Sequence, residues 1–135
     1  MEDATDEKIL LMLRRNARAT NVEMARAVGL TEGAVRHRIQ NLVKSGTIKG
    51  FTVELSAAKG IFAVVMVKSR GETKKMMAGI AAGGMAEDAY EISGEYDGCI
   101  ILRGASVDEI DRKIDGLRKL KEVADTRTFM SFRRW

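Results

Sequence analysis

The chain has 135 residues, 45% hydrophobic and 31% charged, with 23 Lys/Arg against 19 Asp/Glu for a formal net charge of +4. These proportions belong to a soluble globular protein of one domain or two very small ones, and no segment has the composition of a disordered region. The longest weakly polar run, Met76 to Ala86, is far shorter than the roughly 20 residues a membrane span needs.

The opening Glu2, Asp3, Asp6 and Glu7 is acidic where a signal peptide is basic and then apolar, so the expected location is cytoplasmic. Thr5 is the expected cap of a first helix that turns Ile9, Leu10, Met12 and Leu13 inward. A second helix is expected from an N-cap at Asn21, burying Val22, Met24, Ala25 and Val28. It stops at Gly29, a residue suited to the left-handed backbone position beyond a helix. Thr31 caps a third helix in which Val35, Ile39, Leu42 and Val43 recur at i, i+4, i+7 and i+8, and Gly46 ends it. At about 100° per residue, the opposite side of that helix holds Gly33, His37, Gln40 and Lys44, with Arg36 and Arg38 on its flanks.

Two short amphipathic helices meeting at Val28-Gly29-Leu30, the second rich in cations, read as a helix-turn-helix. One face of the second helix packs and the other is free for the major groove of double-stranded DNA. The expected DNA-contacting residues are Thr31, Gly33, Arg36, His37, Arg38, Gln40 and Lys44, with Arg38 on phosphate because it lies toward the edge of the face. Charge agrees: from Arg14 to Lys49 there are eight Lys/Arg against Glu23 and Glu32, a larger excess than the whole chain carries. A basic excess concentrated on one motif is the footprint of phosphate binding. The competing reading is a plain helical hairpin with a solvated basic face.

After Gly46 the period changes. Ile48–Leu55 reads as an extended linking strand, and Lys59-Gly60 as a turn into Ile61–Lys68, which is strongly β-forming. A helix capped near Thr73 follows, with Met76, Met77, Ile80 and Ala81 at helical spacing and an end at Gly83-Gly84. Glu87–Ser93 and Cys99–Arg103 read as strands joined by the Gly-rich turn Gly94–Gly98. Ser106 and Glu109 form a capping box that opens a helix with Val107, Ile110, Ile114, Leu117 and Leu120 on one face. Val123–Phe132 closes the set. The order βαββαβ is that of a ferredoxin-like split unit, so the fold class is α+β: an N-terminal, winged helix-turn-helix and a C-terminal antiparallel sheet with both helices on one face. The expected divisions are residues 1–47, a linker at 48–58, and 59–135. Both faces of Ile61–Lys68 are apolar, Phe62, Val64 and Met66 on one and Ala63, Val65 and Val67 on the other. The face without helices is therefore an oligomer interface or is covered by Ile48–Leu55.

A helix-turn-helix, a linking strand and a βαββαβ domain together resemble the feast/famine regulators, the leucine-responsive regulatory protein (Lrp/AsnC) family. The resemblance spans nearly the whole chain. It is carried by Thr5-Asp6-Glu7-Lys8-Ile9-Leu10, by Val35-Arg36-His37-Arg38-Ile39 through Leu42 to Gly46-Thr47-Ile48-Lys49-Gly50-Phe51, and by Gly94-Glu95-Tyr96-Asp97. It implies a homodimer built through the C-terminal domains, often assembling to tetramers or octamers, that binds palindromic promoter sites and responds to a free amino acid. In the family the Gly-x-Tyr-Asp turn belongs to an effector site between dimers. The ending Arg133-Arg134-Trp135 and the strand end Met66-Val67-Lys68-Ser69 are similar to archaeal members, including a lysine-responsive branch. Glu95 in the turn and the absence of proline are departures from the pattern.

The residues themselves leave little room for catalysis. His37 is the only histidine, which excludes a multi-histidine metal cluster, and the single Cys99 excludes an internal disulfide and reads as a small core residue. No nucleophile elbow, phosphate loop or cofactor motif is present, so neither an enzyme nor a cofactor is expected. A binding role fits Gly94, Glu95, Tyr96, Asp97 and Gly98 better. Backbone N–H groups beside the glycines suit a carboxylate, and Asp97 suits an ammonium. The competing reading of Asp97 is a carboxylate that satisfies its own turn. Thr126 and Thr128, on one face of the last strand, are the expected contribution of a neighbouring subunit. Glu95 adds a second negative charge, which favours lysine or another basic amino acid over leucine. The alternative function is an effector-independent, DNA-architectural protein.

Overall fold

The computed structural model describes residues 2–54 and 60–133, which separate into two compact units, Met1–Ser56 and Ala57–Trp135. In the first unit, α1 (Ala4–Arg15), α2 (Asn21–Val28) and α3 (Glu32–Lys44) close around Ile9, Met24, Ala25 and Val35, with Met12, Leu13, Ala19, Val28 and Ile39 packed at the margin. The caps fall one or two residues before their expected places. Asp3, not Thr5, caps α1 and Thr20, not Asn21, caps α2, each in a reciprocal capping box with the residue three further on. The reason is geometric: the cap must keep extended backbone angles while its side chain reaches the third N–H, and Asp3–Asp6 and Thr20–Glu23 supply both halves of that exchange. Gly29 ends α2 at φ 72°, the left-handed conformation expected of it. Thr31 caps α3 as expected, its hydroxyl accepting from the Ala34 N–H.

Val22 and Val43, expected inside, are exposed, because a core of three short helices is reached by fewer turns of each helix than the period allows. The extended segment expected at Ile48–Leu55 forms no strand over its described part, residues 48–54. Phe51 and Val53 remain 56% and 78% exposed.

The second unit has the expected order: β1 (Ile61–Ser69), α4 (Thr73–Ala82), β2 (Asp88–Glu91), β3 (Gly98–Gly104), α5 (Val107–Arg118) and β4 (Val123–Met130). Its sheet runs β2-β3-β1-β4 with every neighbouring pair antiparallel. Residues directly opposite on paired strands share a face. Ala63, Val65 and Val67 of β1 with Ile100 and Leu102 of β3 therefore face α4 and α5, where they bury against Met76, Ile80, Ile110, Ile114 and Leu117. Val107 and Ala81, expected inward, are exposed. Glu109 takes the Ala105 N–H while Ser106 takes the Glu109 N–H, so the expected box is opened by one residue. Near Thr73 the helix starts from Glu72, which makes no side-chain cap.

Candidate DNA-reading helix and ligand turn

Helix α3 presents Gly33, Arg36, His37, Gln40 and Lys44 to solvent, with Thr31 exposed at its start. These positions form the continuous polar side that the period places opposite Val35 and Leu42. Two of its side chains are held in place along the helix. Arg36 is paired with Glu32 one turn back, and Asn41 meets the His37 ring across 3.2 Å. Asn41 was not among the expected DNA contacts, although its amide has the donor–acceptor pattern that reads adenine, and its exposed place one turn beyond His37 was the available signal. No ion pair to Lys44 is formed among the described residues.

Arg38 differs from the other cations of α3. It lies 31% exposed on the packed flank, and its Nη1 donates to Asp3 Oδ2 and to Asp6 Oδ1, both at 2.8 Å. Asp6 is the only charged residue buried among the described residues. The two carboxylates raise the Arg38 pKa, that of Asp6 first. Asp3 is held below the ordinary carboxylate range, first by the Asp6 N–H and then by the Arg38 guanidinium. The expected phosphate contact is thus occupied within the chain, by a pair whose sequence separation hides it.

In the second unit the turn between β2 and β3 is tied to the end of β1. The Ile92 N–H donates to the Asp97 carbonyl at 2.9 Å, and the Asp97 N–H donates to the Val67 carbonyl at 2.9 Å. The register of β1 against β4 shifts between Lys68 and Ser69, and the Ser69 N–H donates to Asp97 Oδ2 at 2.7 Å. One oxygen of the carboxylate expected to face a ligand therefore locks the turn to a bulged strand end. Bulges of this kind re-aim side chains beside functional sites. Tyr96 lies half-buried with Lys68 Nζ 5.5 Å from its ring centre, while Gly94 and Glu95 stand exposed.

Thr126 and Thr128 pair with Val67 and Val65, so both point to the helix side of the sheet. Arg118 of α5 donates to the Thr126 hydroxyl at 3.1 Å, and the Thr128 hydroxyl is buried with no partner among the described residues. Gly98 and Thr126 flank Val67 on either side of β1, which puts the turn and the threonines at one end of the sheet without bringing them into contact. Among the described residues no group of three or more His, Cys, Asp or Glu is placed to hold a metal ion, and no helix is long and apolar enough to cross a membrane. Cys99 sits half-buried opposite Met66 and Tyr90.

Comparison with known proteins agrees with this geometry at the level of family. Residues 2–49 match the winged helix-turn-helix DNA-binding family, and residues 62–135 match the Lrp/AsnC ligand binding domain. The chain belongs to the Lrp/AsnC family: it is a DNA-binding transcription regulator with a ligand-binding domain, and not an enzyme. It is 36% identical to the HTH-type transcriptional regulator LysM of Saccharolobus solfataricus over 98% of this chain and 95% of that one. The regulator of the same name from Sulfurisphaera tokodaii is 36% identical over 98% and 96%. Among solved structures, the leucine response regulatory protein of Mycobacterium tuberculosis superposes with a TM-score of 0.86 at 22% identity, covering 99% of this chain and 94% of that one. A Neisseria meningitidis regulator solved in complex with L-Met gives 0.77 at 23% identity, covering 98% and 91%. These two likenesses share the fold.

Proposed function

We propose that this protein is a cytoplasmic, homodimeric or larger regulator that reads promoter DNA through α3 and changes its assembly or DNA affinity when a free amino acid binds at the Gly94–Gly98 turn. The observation that carries the effector part is the end of the sheet itself. A glycine-rich turn is pinned by one oxygen of Asp97 to a β-bulge, and Gly94 and Glu95 stand exposed beside it. Glu95 gives the turn a second carboxylate, which favours lysine or arginine, and the name LysM of the two relatives at 36% identity points the same way. Binding shifts assembly only by its difference in affinity between the two states.

The test is calorimetry of the full chain with L-lysine, L-arginine, L-leucine and L-methionine. Asp97→Asn is the informative variant, because its amide oxygen still accepts the Ser69 N–H while the negative charge is gone. Loss of amino-acid binding with unchanged melting and DNA affinity supports the site. Equal affinity in the variant places the ligand elsewhere. Absence of binding by any of the common amino acids at millimolar concentration leaves the DNA-architectural function as the better account.

A further inference from the structure

The N-terminal acidic residues do more than cap a helix. The Thr47 hydroxyl, just beyond the end of α3, donates to Glu2 Oε1 at 2.6 Å, and Arg38, in the middle of α3, donates to Asp3 and Asp6 at 2.8 Å each. Asp3 and Asp6 are at the same time the two halves of the α1 capping box. One short segment, Glu2 to Asp6, thus starts α1 and fastens α3 at two points roughly two and a half turns apart. Lys8 Nζ donates to the Ala27 carbonyl at the end of α2, which ties α1 to the third member of the unit. The apolar core behind these bonds is small, Ile9, Met24, Ala25 and Val35 being its buried members among the described residues, so polar fastening carries a large share of the angle at which α3 is held.

We infer that Glu2–Asp6 is an acidic strap that sets the pose of the DNA-reading helix, and that Arg38 is a positioning residue of α3, not a contact to phosphate. The inference rests on α3 being the reading helix. The strap spends one cation of α3 internally and leaves Lys44, His37 and Gln40 to face DNA. Its energetic logic is that of a buried carboxylate with a bridging guanidinium: removing one partner leaves the other uncompensated, so the helix moves to resolvate it. A shift of the reading helix lowers affinity for the right sequence while leaving the phosphate attraction intact.

This reading and a phosphate contact predict opposite signs for one variant. Asp3→Asn/Asp6→Asn removes two negative charges, keeps a good N-cap at position 3, and leaves the Arg38 guanidinium without a charged partner. If Arg38 served phosphate, every DNA would bind as well or better. The strap predicts that the full-length variant binds a site enriched from random duplex by the native protein several-fold more weakly, with non-specific duplex bound no more weakly than before. Arg38→Gln supplies the second arm. It should weaken the enriched site while leaving the slope of log affinity against log salt unchanged, whereas Lys44→Gln should flatten that slope by about one. Unchanged or tighter binding by the Asn pair, or a slope lowered by about one in Arg38→Gln, overturns the strap. The separate reading of α3 is tested by Gln40→Ala, which touches no member of the strap, so the two failures are told apart.

Discussion

Gly98 occupies a position where a side chain has no room. A Cβ there would lie 2.7 Å from Val67 Cγ2 and 2.8 Å from Met77 Sδ, on the helix side of the sheet where β3 leaves the Gly94–Gly98 turn. The thioether can move, but Val67 is fully buried in the middle of β1 and cannot. Gly98→Ala is therefore expected to destabilise the second unit by about 1–3 kcal/mol, the range for overpacking a filled interior. Urea unfolding followed by circular dichroism measures it, and a midpoint equal to that of the native chain would show that α4 yields freely. Nothing in the sequence separated this glycine from Gly94, whose φ of 130° marks a conformational need with open space around it. The same limit applies to Asp97: its spacing from the glycines was legible, but the Ser69 N–H it accepts lies 28 residues away. Arg38 likewise read as a surface cation, since Asp3 and Asp6 stand 35 and 32 positions earlier.

At the scale of elements, the period of apolar residues was a sound guide and the ends of helices were less so. Val35, Ile39 and Leu42 fixed the packed side of α3, and the alternation in β1 fixed which of its residues share a face though not which face packs, because 3.6- and 2-residue periods are properties of the backbone alone. The caps slipped because Thr20 and Asn21 are both competent, and only the reciprocal partner Glu23 selects between them. That selection has a consequence for pH. Glu23 is held below its ordinary range by the Thr20 N–H first and then the Thr20 hydroxyl. Glu109 is lowered chiefly by the Ala105 N–H, and Asp3 by the Asp6 N–H and Arg38. Each folded carboxylate is easier to ionise than its unfolded counterpart. The stabilisation is therefore fully present above the unfolded values, near pH 4, and is lost as pH falls through the lower folded ones. The melting temperature should be flat from pH 7 to about 5 and fall below about 4. Glu23→Gln with Glu109→Gln should make that fall shallower. An unchanged slope in the double variant would show that these caps do not sense pH.

At the scale of the whole molecule, the question is what lies against the open face of the sheet. The strands put Phe62, Val64 and Met66 of β1 there, beside Cys99 and Ile101 of β3, Tyr90 of β2 and Phe129 of β4. Tyr90 and Phe129 are 54% and 52% exposed, so this face carries large apolar groups in open water within the described unit. Arg103 lies among them with its guanidinium 4.6 Å from the Phe62 ring centre, and its Nε is buried without a partner. A continuous apolar face rimmed by charge is the character of a self-complementary interface, where the same patch serves both subunits. The sequence alone does not say which alternate set of β1 is the outer one, and the expectation from it, that a charge at Val65 dissociates the assembly, is corrected by the burial of Val65 in the helix-side core. The structure separates them: Val65 is fully buried against α4 and α5, and Val64 is not. Val65→Asp is expected to unfold the second unit, since an unpaired carboxylate in that core is strongly unfavourable. Val64→Asp, or Met66→Glu, is expected to leave the fold intact and convert the native assembly to a species of 14.9 kDa. Sedimentation equilibrium at micromolar concentration, with circular dichroism as the control for folding, distinguishes the two variants. A dimer through this face would also set how DNA is read, because a two-fold axis places paired copies of α3 about one DNA turn apart, roughly 34 Å, or a multiple of it. Val64→Asp should accordingly lose affinity for a two-half-site duplex much more than for a single half-site. A native chain that sediments as a monomer, or a Val64→Asp variant that remains associated, would remove this face from the assembly.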